Sequence, residues 1–171
     1  FSINVAGDTL VEGNESLLAM VTSSASSPVA LASAVAQITN NDVAGGGNDI
    51  LNGNAGNDSI VGGGGNDIIN GGDGNDAMDG GGGKDTMSGG DGDDAYYIDP
   101  TDVIFELPGN GIDTVIVTFD YALGPNFENL SMLGGTVGIG NVLDNLIFGN
   151  DGVNTLLGGG GSDLLIGEGG D

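Results

Sequence analysis

Six aspartates recur at intervals of nine residues: Asp49, Asp58, Asp67, Asp76, Asp85 and Asp94. A carboxylate can ligate a cation or move a proton, and its neighbours decide which. The chain holds no histidine, no cysteine and a single basic side chain, Lys84. Nucleophilic and general acid–base chemistry therefore lack their usual partners, and neither an HExxH helix nor a GxSxG elbow occurs. Zinc loses its thiolate and imidazole ligands for the same reason. What remains for the aspartates is to hold hard, oxygen-preferring cations. Calcium fits best, because it accepts roughly six to eight oxygens in a flexible shell that mixes carboxylates with backbone carbonyls. Magnesium demands a near-ideal octahedron and keeps its water.

The aspartates belong to a repeat that specifies how they must be positioned. From Ala44 the chain reads AGGGNDILN, GNAGNDSIV, GGGGNDIIN, GGDGNDAMD, GGGGKDTMS and GGDGDDAYY. Aspartate is always sixth, glycine always fourth, and the eighth residue is large and apolar: Leu51, Ile60, Ile69, Met78, Met87 and Tyr96. Glycines at the first, second and fourth places open each unit with a tight turn. The seventh to ninth residues then form a short strand whose eighth residue faces inward. A strand that short is stable only when stacked on equivalents, as in a solenoid. If two units close one flattened coil, residues eighteen apart become vertical neighbours. Asp49, Asp67 and Asp85 then line one edge, and Asp58, Asp76 and Asp94 the other. Coils about 4.8 Å apart bring like charges so close that each pair costs on the order of 3 kcal/mol at an effective dielectric of about 20. A cation shared by Asp49 with Asp67, Asp67 with Asp85, Asp58 with Asp76, or Asp76 with Asp94 removes that cost.

The whole composition agrees. With 25 acidic residues and a formal charge of −24, the chain repels itself unless counter-ions are bound at defined places, and it suits neither nucleic acid nor an anionic membrane. Its 37 glycines alone would suit a flexible acidic linker, but a linker has no need of a large apolar residue at one place in nine. No disulfide can form, and no apolar run approaches the roughly 18 residues of a membrane-spanning helix.

The units GGGGNDIIN at 62–70 and GGDGNDAMD at 71–79 resemble the glycine- and aspartate-rich nonapeptides of the RTX, or haemolysin-type calcium-binding, family. The resemblance implies an all-β fold, a parallel β-roll or right-handed β-helical solenoid, with calcium between successive turns. Carried onto this chain, it makes Asp49, Asp58, Asp67, Asp76, Asp85 and Asp94 the carboxylate ligands. Carbonyls of the glycine turns, at Gly47, Gly56, Gly63, Gly65, Gly72, Gly74, Gly81 and Gly83, would complete the shells. It also implies type I secretion from a Gram-negative bacterium, unfolded in calcium-poor cytoplasm and folded outside, and so a secreted or cell-surface location. Ala44 in place of a first glycine and Asn54 in place of a second are departures, which make the opening unit an edge.

The expected organisation is a capping segment at 1–43, a first repeat block at 44–97, a β insert at 98–139 and a second, degenerate block at 140–171. In the first segment Ser27 before Pro28 could cap a helix over 29–37, although alternating valine and alanine also permit strands. GDTLVEGNES and AQITNND resemble the edges of Calx-type β-sandwich modules. Within 102–123, β-branched and aromatic residues around a turn at 108–111 predict two strands and a connection. Tyr96, Tyr97, Phe105, Phe119, Tyr121 and Phe127 are expected to form the core there, with Glu106 and Asp113 in surface or turn-capping roles. The stretch from Tyr96 through GIDTV, ENL and GNVLDNLIFGN resembles a unit that joins nonapeptide blocks in large bacterial RTX proteins. The second block keeps apolar eighth residues in Ile147, Leu156 and Leu165 but has Asn145 and Asn154 where aspartate is expected. Asparagine can stack coils by amide hydrogen bonds while holding metal weakly, which leaves Asp163 as the candidate ligand and the first block as the richer in calcium. Phe1 at the start and the incomplete unit GEGGD at the end are expected of a piece of a longer chain.

These readings converge on a non-catalytic calcium-binding module whose folding extracellular calcium triggers, within a larger bacterial exoprotein or adhesin. The alternative is the accessory domain of a secreted protease, lipase or alginate epimerase. Calcium, the rest of a larger polypeptide and a surface-layer or adhesive partner are the expected partners. Asp67→Ala or Asp76→Ala should raise the calcium concentration needed for folding by on the order of tenfold, because each serves two neighbours. Lys84→Ala should change it little, since the fifth position faces solvent. Calcium titrations of the three variants check the order, and a larger effect at Lys84 would overturn the assignment.

Overall fold

A computed structural model describes residues 35–37, 42–44 and 46–170. The helix cap at Ser27 and the β-sandwich likeness of 7–16 lie outside them. Of the two readings for 29–37, the strand holds over the described part, Val35–Gln37.

Among the described residues, sixteen strands, numbered in chain order, form three sheets. One stacks β1 (Val35–Gln37), β3 (Ile50–Ala55), β5 (Ile68–Asp73), β7 (Thr86–Asp91) and β9 (Val103–Ile104). A second stacks β2 (Asp42–Val43), β4 (Ser59–Val61), β6 (Ala77–Asp79), β8 (Ala95–Tyr97), β10 (Thr114–Val117), β12 (Asn129–Met132), β14 (Leu146–Phe148) and β16 (Leu164–Ile166). A third, of β11 (Tyr121–Ala122), β13 (Val137–Ile139) and β15 (Thr155–Leu157), begins after the first has ended. Every pairing is parallel. The chain passes from one sheet to another at each turn, making a parallel β-roll of about 6 turns.

The nine-residue period sets the register. Leu51 pairs with Ile69 and Ile69 with Met87, while Ile60 pairs with Met78 and Met78 with Tyr96, so partners are eighteen residues apart. Side chains alternate across a strand, so the middle residue of each triplet points inward. All six of these residues are buried. The roll is thin: each unit adds one large apolar side chain, worth roughly 1.5–3 kcal/mol when buried, to one of the two columns that together make the core.

After Tyr97 the period is lost but the stack continues. Tyr96 pairs with Val115, Val115 with Leu130, Leu130 with Ile147 and Ile147 with Leu165, so successive steps are 19, 15, 17 and 18 residues. Parallel hydrogen bonding constrains which residues stack, not how long a coil is, and the loops at 105–113 and 123–128 absorb the difference. The stretch 102–123 therefore holds three strands, β9, β10 and β11, where two were expected. Of the aromatic residues assigned to its core, Tyr96 and Phe127 are buried and meet edge to face at 5.4 Å. Phe119 and Tyr121 pair at 5.9 Å against the side of that core. Tyr97 and Phe105 are about half exposed, because each follows an inward-pointing residue and the pleat turns it outward. Gly138, in the middle of β13, is bare because Met132 occupies its place: a Cβ there would lie 2.5 Å from the Met132 sulfur.

Truncating Ile69, which is 1% exposed, should cost about 2–5 kcal/mol. Leu165 fills the same place in β16, the last strand of its sheet, where it is 40% exposed, and its truncation should cost less than about 1 kcal/mol. Urea unfolding of Ile69→Ala and Leu165→Ala in saturating calcium measures both.

Candidate metal centre

Each sixth-position aspartate precedes a strand, and strand pairing places it over its counterpart in the next coil. The Asp49 N–H donates to Asp67 Oδ1 at 2.9 Å and the Asp67 N–H to Asp85 Oδ1 at 2.7 Å. On the other edge, the Asp58 N–H donates to Asp76 Oδ1 at 2.8 Å and the Asp76 N–H to Asp94 Oδ1 at 2.7 Å. One oxygen of each upper carboxylate is thereby tied to the coil below. The other faces inward: Oδ2 of Asp67, Asp76, Asp85 and Asp94 is buried and meets no hydrogen-bond donor.

Bare glycines surround these oxygens. At the first place, a Cβ on Gly62, Gly71, Gly80 or Gly89 would strike Oδ2 of the aspartate in its own unit. Gly63, Gly72 and Gly81 at the second place, and Gly47, Gly56, Gly65, Gly74 and Gly83 at the fourth, all have positive φ, as do Gly90 and Gly92 of the sixth unit. Asn54, which stands in for a second glycine, takes φ 76°, a conformation asparagine tolerates. A Cβ on Gly83 would overlap the Gly65 carbonyl oxygen, and one on Gly81 that of Gly63. The Gly65 carbonyl lies against Gly83, beside Asn66 Oδ1, whereas a Cβ on Gly62 would meet both Asp67 Oδ2 and the Gly80 carbonyl oxygen, and one on Gly71 both Asp76 Oδ2 and the Gly89 carbonyl oxygen, so carboxylate and carbonyl oxygens lie together there. That donor set is the one calcium takes, and Oδ2 atoms without donors are what a bound cation would satisfy.

Both ladders run further than the nonapeptides. The Asp85 N–H donates to Asp102 Oδ1 at 3.0 Å, extending one edge. The Asp94 N–H donates to Asp113 Oδ1 and the Asp113 N–H to Glu128 Oε2, each at 2.9 Å, extending the other. Glu106 and Asp113, expected at the surface or capping turns, are instead 6% and 1% exposed. The lengthened coil carries Asp113 over the sixth-position Asp94, and the shortened one carries Glu106 over Gly89, the first residue of its unit. The signal that finds Asp102, Asp113 and Glu128 is an acidic residue two places before an inward apolar one: Asp102 before Ile104, Asp113 before Val115, Glu128 before Leu130. A second row was also missed, at the fifth position. Asn48, Asn57, Asn66 and Asn75 each accept through Oδ1 the N–H of the fifth residue one coil up, at 2.8–3.1 Å. Lys84 is exposed and has no acceptor to offer there; the Thr101 hydroxyl donates to the Gly83 carbonyl instead.

At two places the second block meets the same demand with an amide in place of a carboxylate. Asn145 is buried; its amide donates to the carbonyls of Phe127 and Glu128, each at 3.1 Å, and its Oδ1 accepts the Asn141 N–H at 2.8 Å. Asn154 Oδ1 accepts the Asn150 N–H at 2.8 Å. Asp163 sits at the same place one coil above Asn145, whose N–H it accepts at 2.9 Å.

A thin parallel roll with acidic ladders on both edges defines a calcium-binding solenoid repeat. Residues 43–78, 62–96 and 139–171, half of the chain, match the RTX calcium-binding nonapeptide repeat (4 copies), and the chain belongs to that family. Its calcium-binding repeats support a structural, non-catalytic role and are characteristic of secreted and surface proteins of Gram-negative bacteria. A stretch of 53 residues, 30% of the chain, is 43% identical to part of Endo-1,3-1,4-beta-glycanase ExsH of Rhizobium meliloti (strain 1021), and covers 11% of that protein's length. No solved structure matches the chain.

Burial raises the carboxyl pKa of Asp94 to about 7 and of Asp85 and Asp113 to about 6; hydrogen bonds from the coil below oppose the rise and neighbouring carboxylates add to it. Asp76 and Glu106 move the same way, again chiefly through burial. Since these values lie above the ordinary 3.8 of an aspartate, protons bind the folded roll more tightly than the unfolded chain. In metal-free buffer the proton-linked stability is full below pH 3.8 and is lost as pH rises through about 6 to about 7. Circular dichroism without metal should thus show more β structure near pH 4 than near pH 8. Calcium affinity should rise across the same window as protons leave.

Proposed function

We propose that the sixth-position aspartates and the carbonyls of the glycine turns bind calcium between coils, and that this binding switches the chain from unfolded to folded. The observation that carries the reading is the row of donorless, buried Oδ2 atoms at Asp67, Asp76, Asp85 and Asp94. Without a cation these charges oppose stacking, and one apolar side chain per unit must order nine residues, each costing about 1 kcal/mol or more. Calcium turns the repulsion into shared ligation, and its binding energy adds to stability because the unfolded chain has no site to offer. Extracellular modules bind calcium at about 10⁻⁴–10⁻³ M, far above a cytoplasmic level. The chain then stays unfolded for type I export and sets outside the cell, where it serves a larger exoprotein or adhesin.

The likeness to a segment of the glycanase ExsH favours a second reading of the parent, a secreted enzyme for which this chain is the accessory module. The two readings share the calcium switch and differ in what it is attached to.

Far-ultraviolet circular dichroism during a calcium titration should show one cooperative change from unfolded to β signal, reversed by chelator and poorly reproduced by magnesium. A compact, fully β-structured chain in excess chelator at neutral pH would sink the proposal.

A further inference from the structure

The geometry points to an additional divalent-cation site, formed by Asp94, Glu106 and Asp113 where the last regular unit meets the connecting segment, with a tighter hold on its ion than any two-aspartate step of the ladders. It rests on the cation-binding reading of the ladders, to which Asp94 belongs. Ligand atoms of the three lie within 4.8 Å of one another, the only such group of three among the described residues. All three side chains are at least nine-tenths buried.

Three turns of chain supply them. Asp94 ends the turn before β8, Asp113 ends the loop before β10, and Glu106 follows β9. Gly89 joins two of them: its N–H donates to Glu106 Oε1 at 2.8 Å, and a Cβ on it would strike Asp94 Oδ2. Glu106 thus stacks over the first glycine of the unit below and places a carboxylate where the regular coils have none. The remaining donors are few. The Tyr96 hydroxyl donates to Glu106 Oε1, the Leu107 N–H to Glu106 Oε2, the Gly90 backbone N–H to the Glu106 carboxylate, the Asp76 N–H to Asp94 Oδ1 and the Asp94 N–H to Asp113 Oδ1. Asp94 Oδ2 is buried in the group with no donor at all. Lys84 is exposed on the roll's surface, and the next residue along the edge, Glu128, adds a further carboxylate. Buried charge of one sign with an unsatisfied oxygen calls for a cation. Three carboxylates on one ion, rather than two with carbonyls, raise affinity through ligand charge. The same ion would bind the irregular coil to the regular one, at the level where the first sheet ends.

Tyr96 supplies the readout, since its hydroxyl touches Glu106 and an excited tyrosine sensitises terbium held beside it. Terbium is titrated, under tyrosine excitation, into the full chain folded at the lowest sufficient calcium concentration, with Tyr97→Phe and Tyr121→Phe leaving Tyr96 as its one tyrosine. The terbium bound first should luminesce and be displaced by added calcium. Glu106→Gln should weaken that first binding by on the order of tenfold or more, whereas Asp67→Asn on the opposite edge should leave it in place. Tyr96→Phe should lose the luminescence while calcium still folds the chain, which keeps the test valid if Glu106→Gln fails to fold. Luminescence titrating in Glu106→Gln as in that single-tyrosine chain, or surviving in Tyr96→Phe, would overturn the site. Calcium-dependent folding in those same samples would leave the ladder reading standing; its absence from the unaltered chain would remove both.

Discussion

A buried carboxylate oxygen with no donor is the constraint on which this roll depends. Stacking coils by parallel pairing forces identical residues into vertical register, so an aspartate that serves one coil becomes a column of aspartates. Backbone N–H groups satisfy one oxygen of each, as from Asp67 to Asp85 Oδ1. The second oxygen of Asp67, Asp76, Asp85 and Asp94 is buried without a donor, against the first glycine of its own unit. Apolar burial offsets little of this, because each unit contributes one inward side chain, as in the column from Ile60 through Met78 to Tyr96. Stability must then come from outside the chain, and the oxygen-rich gap specifies its form as a hard cation.

The glycines follow from the same demand. A side chain at the first place would collide with the aspartate of its own unit, and one on Gly65, Gly74, Gly83 or Gly92 at the fourth with the carbonyl of the coil beside it. Bare backbone leaves the ion room and brings carbonyls to it. Glycine also makes the unfolded chain rich in conformations, which raises the entropic cost of folding. Residues that build the site therefore also destabilise the fold without its ion, and this coupling makes a sharp switch out of a weak core.

Much of this was legible in the sequence because the period of nine couples three patterns at once. Aspartate at the sixth place, glycine at the fourth and an apolar residue at the eighth together imply two units per coil, the edge ladders and the inward column. Where the period fails, so did the reading. Glu106 and Asp113 stand at no repeat position, and an acidic residue in an irregular stretch reads as solvated. Stacking preserves which residues pair, not the number between them, so coil steps of 19 and 15 residues hide the register from a fixed period. The fifth-position asparagines were obscured by Lys84 and Asp93, which made that place look variable. Tyr97 and Phe105 were drawn into the core by their size, although the pleat, which decides the matter, turns each of them outward.

Asparagine and aspartate divide the labour along one edge. At Asn145 the amide meets the carbonyls of Phe127 and Glu128, and its oxygen accepts the Asn141 N–H, so both polar atoms are satisfied within the chain. Beneath it, at Asp94 and Asp76, one oxygen of each carboxylate is left without a donor. A change of one oxygen for one NH₂ thus converts a coil that requires a cation into one that does not. Asn145 stacks on Glu128, which stacks on Asp113 and, through it, on Asp94. If the proposed calcium switch orders the aspartate coils, it also decides whether the asparagine coil has a neighbour to stack on.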